Sequence, residues 1–235
     1  MTPQNSDMQV RLHTFGTLAC MAVLLLCASS CAVFAAVAQP SRSLYVGAGF
    51  SSGDGLSADR PLGSINAALQ KARKGDVIVV APGEYRESIR VSTAGLTILG
   101  SAPGEDAPQV VIAAPAGKPG PVLADSADTV WRGIAFRIGD SAAINLRGFA
   151  GRFEFCHFTS ESPVPGIEVY GGDFVFQGCT FSGGAEPTAM LALNGQAGRK
   201  SRITLAYCLF RDNPGGAVLL RGEQDVRFVN CLFAA

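Results

Sequence analysis

The chain predicts an all-β fold: a right-handed parallel β-helix of about five to six coils, closed at its amino-terminal end by a short helix. Three observations carry this. A Cys-x-Phe triplet recurs as Cys156-His157-Phe158, Cys179-Thr180-Phe181, Cys208-Leu209-Phe210 and Cys231-Leu232-Phe233, and Ile134-Ala135-Phe136 is a fifth copy with Ile for Cys. The copies are separated by 22, 23, 29 and 23 residues, a period typical of solenoids. Between them, Ile144–Gly148, Ile167–Gly171, Leu191–Gly195 and Val218–Gly222 each alternate apolar with other residues and stop at glycine, which is a short strand with one buried face closed by a turn.

The composition agrees. Of 235 residues, 48% are hydrophobic and 16% charged, and 28 are glycine. That is too apolar for disorder and too rich in turn formers for a helical bundle. The 19 basic and 19 acidic side chains balance, so no nucleic-acid partner held by bulk charge is expected.

Taken in order, residues 1–38 read as an export signal. The apolar run Phe15–Ala38 follows a segment whose one basic side chain is Arg11, and it ends in Ala36-Val37-Ala38, the small-residue pattern that signal peptidase cleaves. An uncleaved anchor is the alternative, because the run approaches the length of a bilayer span. Acylation at Cys31 is a third, although Ala stands where a lipobox has Leu. A membrane contact is expected only through this leader, and the remainder is expected to be secreted, periplasmic or on the cell surface.

Residues 39–75 form the expected amino-terminal cap, with a helix near 64–73. Ile65, Ala68, Leu69 and Ala72 share one helical face and Ser64 is its N-cap. Such a helix would cover the unpaired edge and core at the open end of the first coil.

Residues 76–235 are the coils. Their strands of about five residues are too close together for crossover helices, so the chain must wind and pair each strand with its equivalent one coil on, about 4.8 Å away. Aligned on the Cys column, Trp131, Phe153, Phe176, Leu205 and Phe228 point inward before a bend, and the Ile/Cys and Phe columns point inward after it. Phe136, Phe158, Phe181, Phe210 and Phe233 then form an internal ladder. So do Cys156, Cys179, Cys208 and Cys231, read as stacked thiols because parallel side chains on adjacent coils oppose the disulfide dihedral, with one or two bridges as the alternative. Arg132, Glu154, Gln177, Ala206 and Val229, then Ala135, His157, Thr180, Leu209 and Leu232, point outward.

Tyr45-Val46-Gly47, the loop around Gly53-Asp54-Gly55, Arg60-Pro61-Leu62 and the string Gly75-Asp76-Val77-Ile78-Val79-Val80-Ala81-Pro82-Gly83-Glu84-Tyr85 resemble the amino-terminal module of the pectate-lyase-like β-helix superfamily. With the coils, the resemblance covers nearly all of 44–235. It implies a right-handed parallel β-helix in a group that includes polysaccharide lyases, uronate epimerases, glycoside hydrolases and non-catalytic surface proteins. Asp54 and Asp76 read as structural within that module.

A lyase or epimerase needs a base and a group that stabilises enolate-like charge; in the resembling lyases calcium held by acids supplies the latter. Here Glu154 and Glu168 fall on different faces, and Asp140, Asp173, Asp212 and Asp225 are assigned to turns, so no cofactor or metal site is expected, with calcium as the alternative. The paired acids of glycoside hydrolases are also missing. The candidate ligand face is the outward column Arg147, Tyr170, Asn194 and Arg221, flanked by Asn145 and Glu168, where Tyr and Arg could act as base and carboxylate clamp. The competing reading is an ordinary solvated face. His157, a further candidate base, has no second catalytic group beside it in its column.

The expectation is an exported β-helix with a binding or structural role at the cell envelope, contacting polysaccharide without catalysis. A uronate lyase or epimerase is the alternative. A further one is an assembly module that self-associates or meets a protein partner through its carboxy-terminal coil.

Overall fold

The structure is a computed structural model and describes residues 41–235 except 51–52, 101–107, 116–122, 126–127, 140–143, 148–149, 162–163, 185, 187, 196–200 and 235. The expected leader at 1–38, with Cys20, Cys27 and Cys31, and the expected turn at Asp140 lie outside the described residues. Among those described, no helix is long and apolar enough to cross a membrane.

After β1 (Ser43–Val46) and helix α1 (Ile65–Lys71), the chain winds in three-strand coils. The first is β2 (Val77–Val80), β3 (Gly83–Arg86) and β4 (Ile89–Val91); the second is β5 (Leu96–Leu99), β6 (Val110–Ala113) and β7 (Leu123–Asp125). Then come β8 (Thr129–Arg132), β9 (Ile134–Ile138) and β10 (Ile144–Leu146), followed by β11 (Ala150–Glu154), β12 (His157–Ser160) and β13 (Ile167–Tyr170). The fifth and sixth are β14 (Asp173–Gln177), β15 (Thr180–Gly183), β16 (Leu191–Asn194), and β17 (Arg202–Ala206), β18 (Leu209–Arg211), β19 (Val218–Arg221). Strands β20 (Asp225–Val229) and β21 (Leu232–Ala234) begin a seventh.

Like strands stack into three sheets. Sheet A orders β1-β2-β5-β8-β11-β14-β17-β20, sheet B runs β3-β6-β9-β12-β15-β18-β21, and sheet C runs β4-β7-β10-β13-β16-β19. All the pairings are parallel. This is the expected parallel β-helix.

The register reproduces the sequence columns. Trp131 pairs with Phe153, Phe153 with Phe176, Phe176 with Leu205 and Leu205 with Phe228. Phe136, Phe158, Phe181, Phe210 and Phe233 follow one another in sheet B. Because each repeat places the same residue at the same point, rings stack face to face at 5.2, 5.0, 4.6 and 4.8 Å along that ladder. Edge contacts to the sheet A rings tie the two ladders together, for example Phe153 to Phe158 at 5.6 Å. Each such pair contributes about 0.5–1.5 kcal/mol beyond the area it buries. In the seventh coil the same columns are open to solvent: Phe233 is 53% exposed where Phe210 is 1%.

The four cysteines are free and stacked. Each Sγ reaches the carbonyl of the aromatic column one coil back, Cys156 to Trp131, Cys179 to Phe153, Cys208 to Phe176 and Cys231 to Leu205, at 3.3 to 3.5 Å. Burial pushes the Cys179 thiol well up.

Helix α1 starts where expected. Ser64 Oγ accepts from Ala67 N at 3.1 Å, and the Glu87 carboxylate accepts from Ile65 N and Asn66 N at 2.9 and 3.0 Å. The helix ends at Lys71 rather than near 73, because Ala72 is already extended and the next residues turn toward Asp76, whose carboxylate accepts from Arg73 N at 2.9 Å. Burial would raise the Asp76 carboxyl, but that N–H and the Arg42 guanidinium at 2.7 Å hold it below its usual value. Asp54 accepts from Leu56 N and pairs with Arg60. Both acids thus shape the cap. Asp173 and Asp225, assigned to turns from the sequence, instead open strands β14 and β20, where Arg202 stands between them in register. A strand that begins on its turn residue gains a ladder hydrogen bond, and alternating charge across neighbouring strands favours that extension.

Candidate functional site

Sheet C carries the candidate face. Ile144, Ile167, Leu191 and Val218 align on its inner side, as do Leu146, Val169, Leu193 and Leu220. Alternation sends the residues between and after them outward. Asn145 is therefore in register with Glu168, and Tyr170 with Asn194 and then Arg221. Arg147 lies just past β10, and its guanidinium sits over the Tyr170 ring, 4.4 Å from the centroid. The structure thus brings Arg147, Tyr170, Asn194 and Arg221 together along successive coils, and places Asn145 and Glu168 as a register pair beside them on the same face.

Burial raises the Tyr170 hydroxyl above its usual value, and hydrogen bonding and charge from Glu168 raise it further, against the opposite pull of Arg147. A phenol held protonated is a hydrogen-bond donor and a poor base. Two amide atoms on this face, Asn145 Oδ1 and Asn194 Nδ2, are buried without a hydrogen-bond partner, a cost of about 1–3 kcal/mol each.

The outer column extends upstream. Arg90 of β4 aligns with Ala124, and Ala124 with Asn145, so Arg90 shares the Asn145–Glu168 column two coils earlier. There it borders an open groove of about 450 Å³ beneath α1, with Asn66, Gln70, Ser88 and Thr93. The sequence columns start at the Ile134 copy and so do not reach Arg90; the alternation Ile89-Arg90-Val91 is the signal that would have found it.

His157 is elsewhere. It projects from sheet B, in register with Ala135 and Thr180. Burial lowers its imidazole from the ordinary value and the charge of Arg211 adds to the effect, both disfavouring the charged form. It does not join the sheet C residues. Among the described residues no group of three His, Cys, Asp or Glu side chains converges as a metal site would require.

A third feature lies at the corner between sheets A and B. The residue that turns the chain there has positive φ in successive coils: Gly133 (65°), Phe155 (53°), Gly178 (63°), Tyr207 (56°) and Asn230 (52°). Glycine and asparagine are ordinary in this conformation, whereas bulky aromatic residues are outliers. Phe155 and Tyr207 are nonetheless there, 41% and 62% exposed. Their signal in the sequence is the residue immediately before each Cys or Ile of the repeat, which reads Gly, Phe, Gly, Tyr, Asn.

No protein-family model matches the chain, and no curated protein does. Among solved structures, it is similar to the pectin methylesterase from Aspergillus niger in a deglycosylated form and in a penultimately deglycosylated form that keeps an N-acetylglucosamine stub. Each match has 14% sequence identity and a TM-score of 0.37, and covers 83% of this chain and 86% of that one. The likeness is too remote to carry an activity or a substrate to this chain.

Proposed function

We propose that this chain is a β-helix repeat protein of the cell envelope that binds polysaccharide through the outer face of sheet C and does not cleave it. The observation that carries this reading is the run Arg147, Tyr170, Asn194 and Arg221, spaced one coil apart, with the Arg147 guanidinium over the Tyr170 ring. Coil steps of about 4.8 Å approximate the advance of an extended sugar chain, so successive side chains can meet successive sugars. Guanidinium groups at both ends suit carboxylate or hydroxyl partners, and the phenol donates.

What supports binding over catalysis is the chemistry of the same residues. A lyase or epimerase on this face would need Tyr170 or a neighbour as base, and the phenol is raised rather than lowered. His157, the other candidate base, stands on sheet B. Export, through the leader, would put the face in contact with envelope glycans.

The test is native affinity electrophoresis of the chain in gels that contain polygalacturonate, methyl-esterified pectin or hydroxyethylcellulose. Parallel samples are followed for the ultraviolet absorbance of unsaturated uronates. Retardation without product, reduced in Arg147→Ala/Tyr170→Ala, is the expected result. Product formation would replace the binding reading with the lyase.

A further inference from the structure

The aromatic pair at the corner of sheets A and B carries a backbone cost that its glycine and asparagine neighbours in the column avoid. Each of Phe155 and Tyr207 holds a left-handed backbone, which disfavours a side chain with a Cβ by about 1–2 kcal/mol. The other positions of the column are glycine or asparagine, so the corner is built without aromatics in neighbouring coils. The backbone there is held by the ladder itself: Phe155 N donates to Gln177 O at 2.9 Å, Gly178 N to Ala206 O at 2.9 Å and Tyr207 N to Val229 O at 2.8 Å. The rings are not needed to make the turn.

Their arrangement is regular. Phe155 and Tyr207 stand on alternate coils with Gly178 between them, two steps or about 9.6 Å apart along the axis. A Cβ on Gly178 would come within 2.8 Å of Phe155 Cδ1. The glycine therefore makes room for the Phe155 ring to lie along the corner toward Tyr207. Two exposed aromatic surfaces spaced by about the length of a disaccharide, on a straight edge, match alternate rings of an extended sugar chain. Aromatic faces recognise pyranose rings through their C–H faces, and Tyr adds a polar tip. Gln177 flanks the corner on sheet A, and His157 and Thr180, in register with one another, flank it on sheet B, as partners for equatorial hydroxyls.

We infer that the corner between sheets A and B is a second carbohydrate-binding edge, on which an extended uncharged or esterified polysaccharide lies parallel to the helix axis and stacks alternate rings on Phe155 and Tyr207. This deepens the reading of the chain as a polysaccharide binder but places the contact at the one corner that sheet C does not form. The choice of an uncharged or esterified chain follows from stacking through C–H faces and from the corner's ionic groups being paired with each other, Glu154 with Arg132 and Arg152.

The experiment compares four forms of the full chain in the same three gels: wild type, Phe155→Asn/Tyr207→Asn, Tyr207→Trp and Arg147→Ala/Tyr170→Ala. Asparagine keeps the left-handed backbone and removes the ring. The expected result is that the corner double variant melts at or above the wild-type temperature and loses retardation by about tenfold in affinity or more, equivalent to about 1.4 kcal/mol, in hydroxyethylcellulose or esterified pectin. Tyr207→Trp should keep or increase it. Wild-type retardation in the double variant overturns the inference, as does a lower melting temperature, which would make the rings structural. Retardation by polygalacturonate alone overturns the uncharged assignment. If only the sheet C variant loses retardation, this edge is excluded while the earlier reading stands; if no gel retards the wild type, both fall.

Discussion

The Arg147 guanidinium lies 4.4 Å from the centre of the Tyr170 ring, one coil further along sheet C. The two residues come from β10's end and β13, 23 positions apart in sequence, and meet because the coil returns the chain to the same face each turn. Cation and ring stabilise each other by about 0.5–1 kcal/mol at such an exposed site. The pair orients the guanidinium without closing it off from a ligand.

Arg147→Ala/Tyr170→Ala should therefore weaken glycan retention while changing stability by no more than about 1 kcal/mol. Tyr170→Phe separates the two parts: it keeps the ring under Arg147 and removes only the donor. Retention in Tyr170→Phe intermediate between wild type and the double variant is the expected outcome of affinity electrophoresis.

Phe158 is stacked between Phe136 and Phe181 and touches Phe153 and Phe176 edge-on. Phe158→Ala should cost about 3–5 kcal/mol, read as a lower denaturant midpoint. Since each coil contacts only its neighbours, the same truncation at exposed Phe233 should cost much less.

The His157 imidazole titrates below its unfolded value of 6.5, so between 6.5 and the lower folded value the unfolded chain binds more protons. Stability must then fall as pH drops from about 6.5. A His157→Gln variant should lose this segment of the profile and keep the steeper loss at lower pH, where the depressed Asp76 carboxyl protonates. Thermal melts across pH 4–8 check the sign.

The thiols should react in order of position. Cys231 is half-buried while Cys156, Cys179 and Cys208 are buried, so access sets the order, since burial raises the Cys231 thiol as it raises that of Cys179. A thiol-specific disulfide reagent should label Cys231 first and release the other three only on unfolding. Rapid labelling of Cys179 in the native chain would contradict the ladder.

Much of the fold was legible before any coordinates. The Cys-x-Phe period identified the coils from Ile134 onward, and because stacked coils place like residues on like, aligning the copies was enough to predict that Phe153 meets Trp131 and Phe176, and that Tyr170, Asn194 and Arg221 share a column. Ser64 as a cap was legible from its residue type and the apolar period after it. A repeat turns sequence alignment into spatial register, so one dimension is sufficient for it.

What needed the folded chain is whatever depends on distance, burial or backbone sign across coils. The period does not show that burial and Glu168 raise the Tyr170 hydroxyl, that Arg90 joins the Asn145–Glu168 column under α1, or that Asp173 and Asp225 extend strands. Nor does it show that Phe155 and Tyr207 turn the corner with positive φ. Residue type reports preference, and there the preference is overridden by a ladder of hydrogen bonds that forms only when the coils are stacked.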